Sequence, residues 1–109
     1  MITNKIVAID FDGTITKESP YPKTGKIRPN CKKAIDYISE KNTVILWTCR
    51  TGEDLEEARE FLQTHDINIK ILTEINSKLI ADIYIDDRNY PLMKIDWFEI
   101  EKWFQNEKI

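Results

Sequence analysis

Two short apolar runs in this chain each end on a pair of acids. Ile6-Val7-Ala8-Ile9 meets Asp10 and, two residues further, Asp12; Ile83-Tyr84-Ile85 meets Asp86 and Asp87. Apolar runs without polar alternation suit strands covered on both faces, the habit of parallel sheets. Parallel strands cannot be joined by tight turns, so long crossovers, usually helical, must lie between them. The rest of the sequence supplies them. Lys5 to Asp10 reads as the first strand. After a polar loop from Gly13 to Arg28, Pro29 and Asn30 open a helix to about Lys41, with Ala34, Ile35 and Ile38 inward. Thr43 to Trp47 reads as a second strand. Thr51-Gly52 and an acidic first turn introduce a helix carrying Leu55, Ala58, Phe61 and Leu62 at helical spacing. Ile67 to Leu72 and Ile83 to Ile85 are the third and fourth strands, and Asp96 caps a last helix with Trp97, Ile100 and Phe104 along one side.

Such alternation predicts an α/β fold with a mainly parallel sheet. Ligands of open α/β sheets sit outside the carboxyl ends of the strands, where the winding reverses. With the first strand between the second and the fourth, the order is 4-1-2-3, and Asp10, Asp12, Thr48, Asp86 and Asp87 converge on one crevice. The last crossover then spans about 14 Å, three strand spacings. Residues 73 to 81 can reach that far at about 3.3 Å per residue.

The totals narrow the class. The 109 residues, 41% hydrophobic and 32% charged, suffice for one globular domain, 1–109, and for no second core. A net charge of −3, with both signs interleaved, does not favour nucleic acid as a partner. Neither a spanning segment nor a signal sequence is evident, and Cys31 and Cys49 read as reduced thiols, so a cytoplasmic protein away from membranes is expected.

Asp10 and Asp12 point to the same side of an extended chain. Two like charges about 4 Å apart repel by roughly 4 kcal/mol at an effective dielectric near 20. Three or four carboxylates in one crevice therefore call for a cation. Mg²⁺ fits best, since it binds through few carboxylates and keeps positions for water and phosphate oxygens. Taken singly, each of these acids also suits a solvated strand end or a helix cap.

Asp10-Phe11-Asp12-Gly13-Thr14-Ile15-Thr16 resembles the first signature of the haloacid dehalogenase superfamily of phosphotransferases. Thr48, closing Val44-Ile45-Leu46-Trp47, is similar to its second signature, Lys78 to its third-signature lysine, and Asp86-Asp87 to the paired-acid form of its fourth. The proline that often follows that lysine is missing. The resemblance spans residues 6 to 89 and implies a three-layer Rossmann-like fold with a phosphohydrolase site. Asp10 would attack phosphorus, being ionised at neutral pH without an activating base. Asp12 would protonate the leaving oxygen and then take a proton from the hydrolytic water; a negative neighbour favours the protonated form of a carboxyl. The Thr48 hydroxyl and the Cys49 N–H would grip phosphoryl oxygens, with Gly13, Thr14 and Arg50 at the substrate and Lys78 neutralising charge. Mg²⁺ would be held by Asp10, the Asp12 main-chain carbonyl and Asp86, with Asp87 bound directly or through water. Dehalogenases of the family lack the second aspartate, so its presence points to phosphoryl transfer.

Many members carry a folded cap, inserted after the first signature or before the lysine. Residues 13 to 28 have room for a turn and hairpin only, and residues 73 to 77 for less. An open site is expected. It takes a phosphorylated substrate, either large enough to cover the site or a small sugar phosphate under a lid from a second subunit of a homo-oligomer. Arg50 also suits a fork onto a substrate carboxylate or second phosphate. Lys23, Lys26, Arg88 and Asn89 are further candidate contacts. Two other classes share the parts list. A receiver domain carries its phospho-acceptor after the third strand, where this chain has Leu72-Thr73 and no aspartate. A metal-binding interaction module without turnover would keep the same acids.

Overall fold

The computed structural model describes residues 1–20, 23–71, 81–87 and 95–107. Among the described residues, seven regular elements follow in chain order: β1 (Ile6–Ile9), α1 (Cys31–Lys41), β2 (Thr43–Leu46), α2 (Gly52–Thr64), β3 (Lys70–Ile71), β4 (Ile83–Ile85) and α3 (Trp97–Asn106). The four strands form one sheet in the order β3-β2-β1-β4, and every pairing is parallel. This is the expected order read from the other edge. The apolar runs are central because β1 and β2 must be covered on both faces; Val7, Ala8 and Ile9 are each 1% exposed or less.

Register decides which side chains share a face. Val7 lies opposite Val44 and Ile83, and Ile9 opposite Leu46 and Ile85. These residues meet Ala34, Ile35 and Ile38 of α1, Ala58 and Leu62 of α2, and Trp97 and Phe104 of α3 in one hydrophobic cluster. Two successive right-handed crossovers moving in one direction across a sheet place α1 and α2 on the same face. A buried side chain of this size contributes about 1.5–3 kcal/mol, so this shared cluster is the main force holding the elements together. Ala8, Ile45 and Tyr84 take the other face. The third layer expected on that face concerns residues outside those described.

Element ends differ from expectation where hydrogen bonds are diverted. β3 begins at Lys70 rather than Ile67, because the end of α2 claims the preceding residues. Asp66 adopts a left-handed φ of 54°, its N–H bonds the Gln63 carbonyl, and the Ile67 N–H returns 2.9 Å to the Leu62 carbonyl. That pattern satisfies the last carbonyls of a helix and takes Ile67 off the ladder. Leu72 lies outside the described residues. β2 ends at Leu46, although the Trp47 N–H still reaches the Ile9 carbonyl at 2.9 Å. Asp96 caps α3 as expected, accepting from the N–H groups of Phe98 (3.1 Å) and Glu99 (3.3 Å).

Between β1 and α1 the chain folds into a wide turn over Phe11–Ile15 and then a hairpin in which Thr16 bridges Ile27 antiparallel. Among the described residues of this segment there is no folded insert. No helix of the described residues is long and apolar enough to cross a membrane.

Candidate metal and phosphoryl site

Strand ends, a wide turn and the loop after β2 build the site at the carboxyl edge of the sheet. Asp10 follows β1 and is held in line by its N–H, 3.0 Å from the Ile85 carbonyl. Past it the chain must turn sharply. The Thr16 N–H closes back on the Phe11 carbonyl at 3.2 Å, and Gly13 adopts φ 78°. Glycine is required there twice over: the left-handed φ disfavours a side chain, and a Cβ would stand 2.5 Å from the Asp87 Oδ2. The turn therefore brings its backbone against the acid pair that ends β4.

Thr14 and Arg28 lock this turn. The Thr14 hydroxyl accepts from the Asp87 N–H at 3.1 Å, and the Thr14 carbonyl accepts from the Trp97 indole N–H at 2.9 Å. Arg28 donates to the Gly13 carbonyl at 2.8 Å and to the Thr16 carbonyl at 3.1 Å. Thr14, expected at the substrate, is 0% exposed and ties the turn to β4 and α3.

The result is a cavity of about 490 Å³ lined by Asp10, Asp12, Gly13, Trp47, Thr48, Cys49, Asp86 and Asp87, with Glu18 and Ser19 from the hairpin. Carboxylate oxygens of Asp10, Asp86 and Asp87 all lie within 4.8 Å of one another. Ligand oxygens around an octahedral Mg²⁺ at about 2.1 Å are separated by about 3 to 4 Å, so this all-oxygen donor set is close to what a small hard cation needs. Burial pushes the Asp10 carboxyl up from 3.8 to about 7; a hydrogen bond from the Phe11 backbone opposes this, while Asp86, Asp87 and Asp12 add repulsion. A half-buried carboxyl that holds its charge poorly beside other acids suits a neighbouring cation.

Asp12 departs from the cluster. Its two oxygens accept a fork from Arg50, Nε at 2.8 Å and Nη2 at 2.7 Å. The Arg50 side chain is 0% exposed. Among the residues expected at the substrate, it is placed with its guanidinium over the Phe11 ring, 5.1 Å from the centroid, and donates to the Asp54 carbonyl of α2 at 3.2 Å. A polar side chain four residues past β2 turns inward here because Asp12 and Asp54 offer it acceptors.

Thr48 is 6% exposed and lines the cavity beside the exposed Cys49. Its hydroxyl accepts from the Arg50 N–H at 3.2 Å, leaving the hydroxyl proton free to be donated. Glu18 and Ser19 were not foreseen, since the hairpin pairing of Thr16 with Ile27 and Lys17 with Lys26 is what brings them to the rim. Lys23 and Lys26 are exposed and do not line the cavity. Lys78, Arg88 and Asn89 lie outside the described residues. Among the described residues lining the cavity none is basic, so a phosphate entering it meets five acids.

Fold and site together define an α/β protein with a carboxylate cluster at the carboxyl edge of a parallel sheet. No protein-family model matches the chain, nor does any curated protein. A solved structure of a conserved protein from Bacteroides thetaiotaomicron is similar, with 31% sequence identity and a TM-score of 0.83, over 98% of this chain and 94% of that one. The chain belongs to the same family as that protein.

Proposed function

We propose that this chain is a capless phosphohydrolase of the haloacid dehalogenase type, on a Rossmann-like sheet, that cleaves a phosphomonoester with Mg²⁺ through a phosphoryl group carried on Asp10. The observation that carries this reading is the meeting of Asp10, Asp86 and Asp87 oxygens within 4.8 Å, from strand ends 76 residues apart at the nearest. Asp10 Oδ attacks phosphorus, and the bond to the leaving oxygen breaks as the new P–O bond forms. Asp12 donates a proton to the leaving oxygen. Water then attacks the same phosphorus, Asp12 takes its proton, and phosphate departs with Asp10 restored. The Thr48 hydroxyl donates to a phosphoryl oxygen. Asp10, Asp86 and Asp87 would hold Mg²⁺, which would supply the positive charge that this acidic cavity needs before an anion can enter. Lys78 adds to that charge by the resemblance.

Asp12 keeps acceptor capacity for these proton transfers. A carboxylate offers about four lone-pair positions, and the Arg50 fork takes two. The test is phosphate release from a panel of phosphorylated compounds, with Mg²⁺ and with chelator. Release requires the cation, and Asp10→Asn or Asp12→Asn each lowers it about a hundredfold or more. Full activity in Asp10→Asn overturns the assignment, and cation binding without release from any compound favours the interaction module.

A further inference from the structure

The Arg50–Asp12 fork raises a question that the phosphohydrolase reading, on which this inference rests, does not answer. Asp12 stands two residues from Asp10, its carboxylate 37% exposed on the same cavity. A free carboxylate so placed has a strong competing use, as one more oxygen ligand for the cation. An Asp12 captured in that way has its lone pairs committed and no longer shuttles protons.

Arg50 is built to prevent this. Its guanidinium takes both Asp12 oxygens at 2.7 and 2.8 Å, which fixes the plane of the carboxylate as well as its place. The arginine cannot follow Asp12 toward the cluster. Its Nη1 is bonded to the Asp54 carbonyl at 3.2 Å, with Glu57 Oε2 at 4.0 Å, and its planar face is seated over Phe11. Phe11 is in turn 0% exposed and packs edge-on against Phe61 of α2, centroids 5.5 Å apart. Contacts to Asp54, Glu57 and Phe11 thus hold a group that also forks onto the acid that moves protons.

We propose that Arg50 is a positioning residue that keeps the Asp12 carboxylate off the metal cluster and available to the reacting oxygens. The consequence is specific: weakening the fork strengthens cation binding while it slows turnover. A lysine cannot reproduce the fork, since it presents one point charge rather than two parallel donors.

The experiment is a cycle of wild type, Arg50→Lys, Asp12→Asn and the double variant, each read twice. Calorimetric titration with Mg²⁺ gives the cation's dissociation constant without any substrate, and phosphate release gives kcat and KM. In Arg50→Lys the constant falls several-fold, because Asp12 joins the cation, and kcat falls at least tenfold with KM little changed. In the Asp12→Asn background the lysine substitution changes neither quantity. Arg50→Gln, which removes the charge as well, shifts the constant in the same direction. An unchanged Mg²⁺ constant in a folded Arg50→Lys protein overturns the proposal, as does an equal effect of the substitution with and without Asp12. Failure of wild type to release phosphate overturns the enzymatic reading instead, and the titration arm still decides what Arg50 does.

Discussion

At the scale of single residues, the acid pair that opens the sequence divides its labour differently from what spacing alone suggests. Proximity was expected to be the dominant influence on Asp10 and Asp12. In the structure burial comes first: it pushes the Asp10 carboxyl to about 7, with neighbouring acids adding to it, while Asp12 rests on a buried arginine. A stability test follows, and its sign is fixed. Native Asp10 holds its proton up to about pH 7, whereas an unfolded aspartate releases it near 3.8, so between those values the native state binds more protons. Metal-free stability contributed by this group therefore falls as pH rises through that window, by on the order of a few kcal/mol. Asp10→Asn, which cannot ionise, is expected to match wild type near pH 4 and to exceed it near pH 8 in urea midpoint without metal. Saturating Mg²⁺ narrows or inverts that difference. A wild type that outlasts Asp10→Asn at pH 8 in chelator contradicts the burial argument. Asp10, Asp12, Thr48, Asp86 and Asp87 were legible because strand ends expose them in the sequence. The inward turns of Thr14 and Arg50 were not, because their partners, Asp87, Trp97, Asp12 and Asp54, lie far along the chain or on another element.

Elements were legible where local chemistry decides them. The apolar stripe of α1 and the cap of α3 follow from side chains within one or two turns, and the structure places both as read. Replacing Asp96 with alanine removes the acceptor for two N–H groups and is expected to cost about 1 kcal/mol in chemical denaturation. Asp96→Asn, whose amide oxygen can still accept, loses only a fraction of that. Equal losses in the two variants would assign the effect to something other than the cap. β3 was legible only in part. Its apolar residues continue upstream to Ile67, yet closure of α2 through Asp66 and Ile67 uses the backbone groups that a longer strand would have paired. Periodicity reports what a side chain prefers to bury; it is silent about which carbonyl its N–H will find. The Thr16–Ile27 bridge was foreseen as a hairpin but not in register, and register is what delivers Glu18 and Ser19 to the cavity.

For the molecule as a whole, the order β3-β2-β1-β4 converts distance along the chain into proximity. Placing β1 between β2 and β4 sets Asp10 beside the loop of Thr48 on one side and beside Asp86 and Asp87 on the other. A sheet wound in simple sequence order would have left β2 and β3 between the two acid pairs. The topology is thus what gathers the candidate cation ligands from residues that have no local reason to meet, and the buried Arg50 binds the first turn of α2 into the same centre. The claim that unites these levels is that Asp10 takes up the phosphoryl group. Turnover quenched in acid, followed by peptide mass spectrometry, tests it most directly. With Mg²⁺ and an active substrate, the peptide containing Asp10 should carry one phosphoryl group on that residue, and the adduct should accumulate further in Asp12→Asn if its hydrolysis is the step slowed most. A wild type that turns over with Asp10 unmodified, or with the phosphoryl group on another residue, would contradict the account.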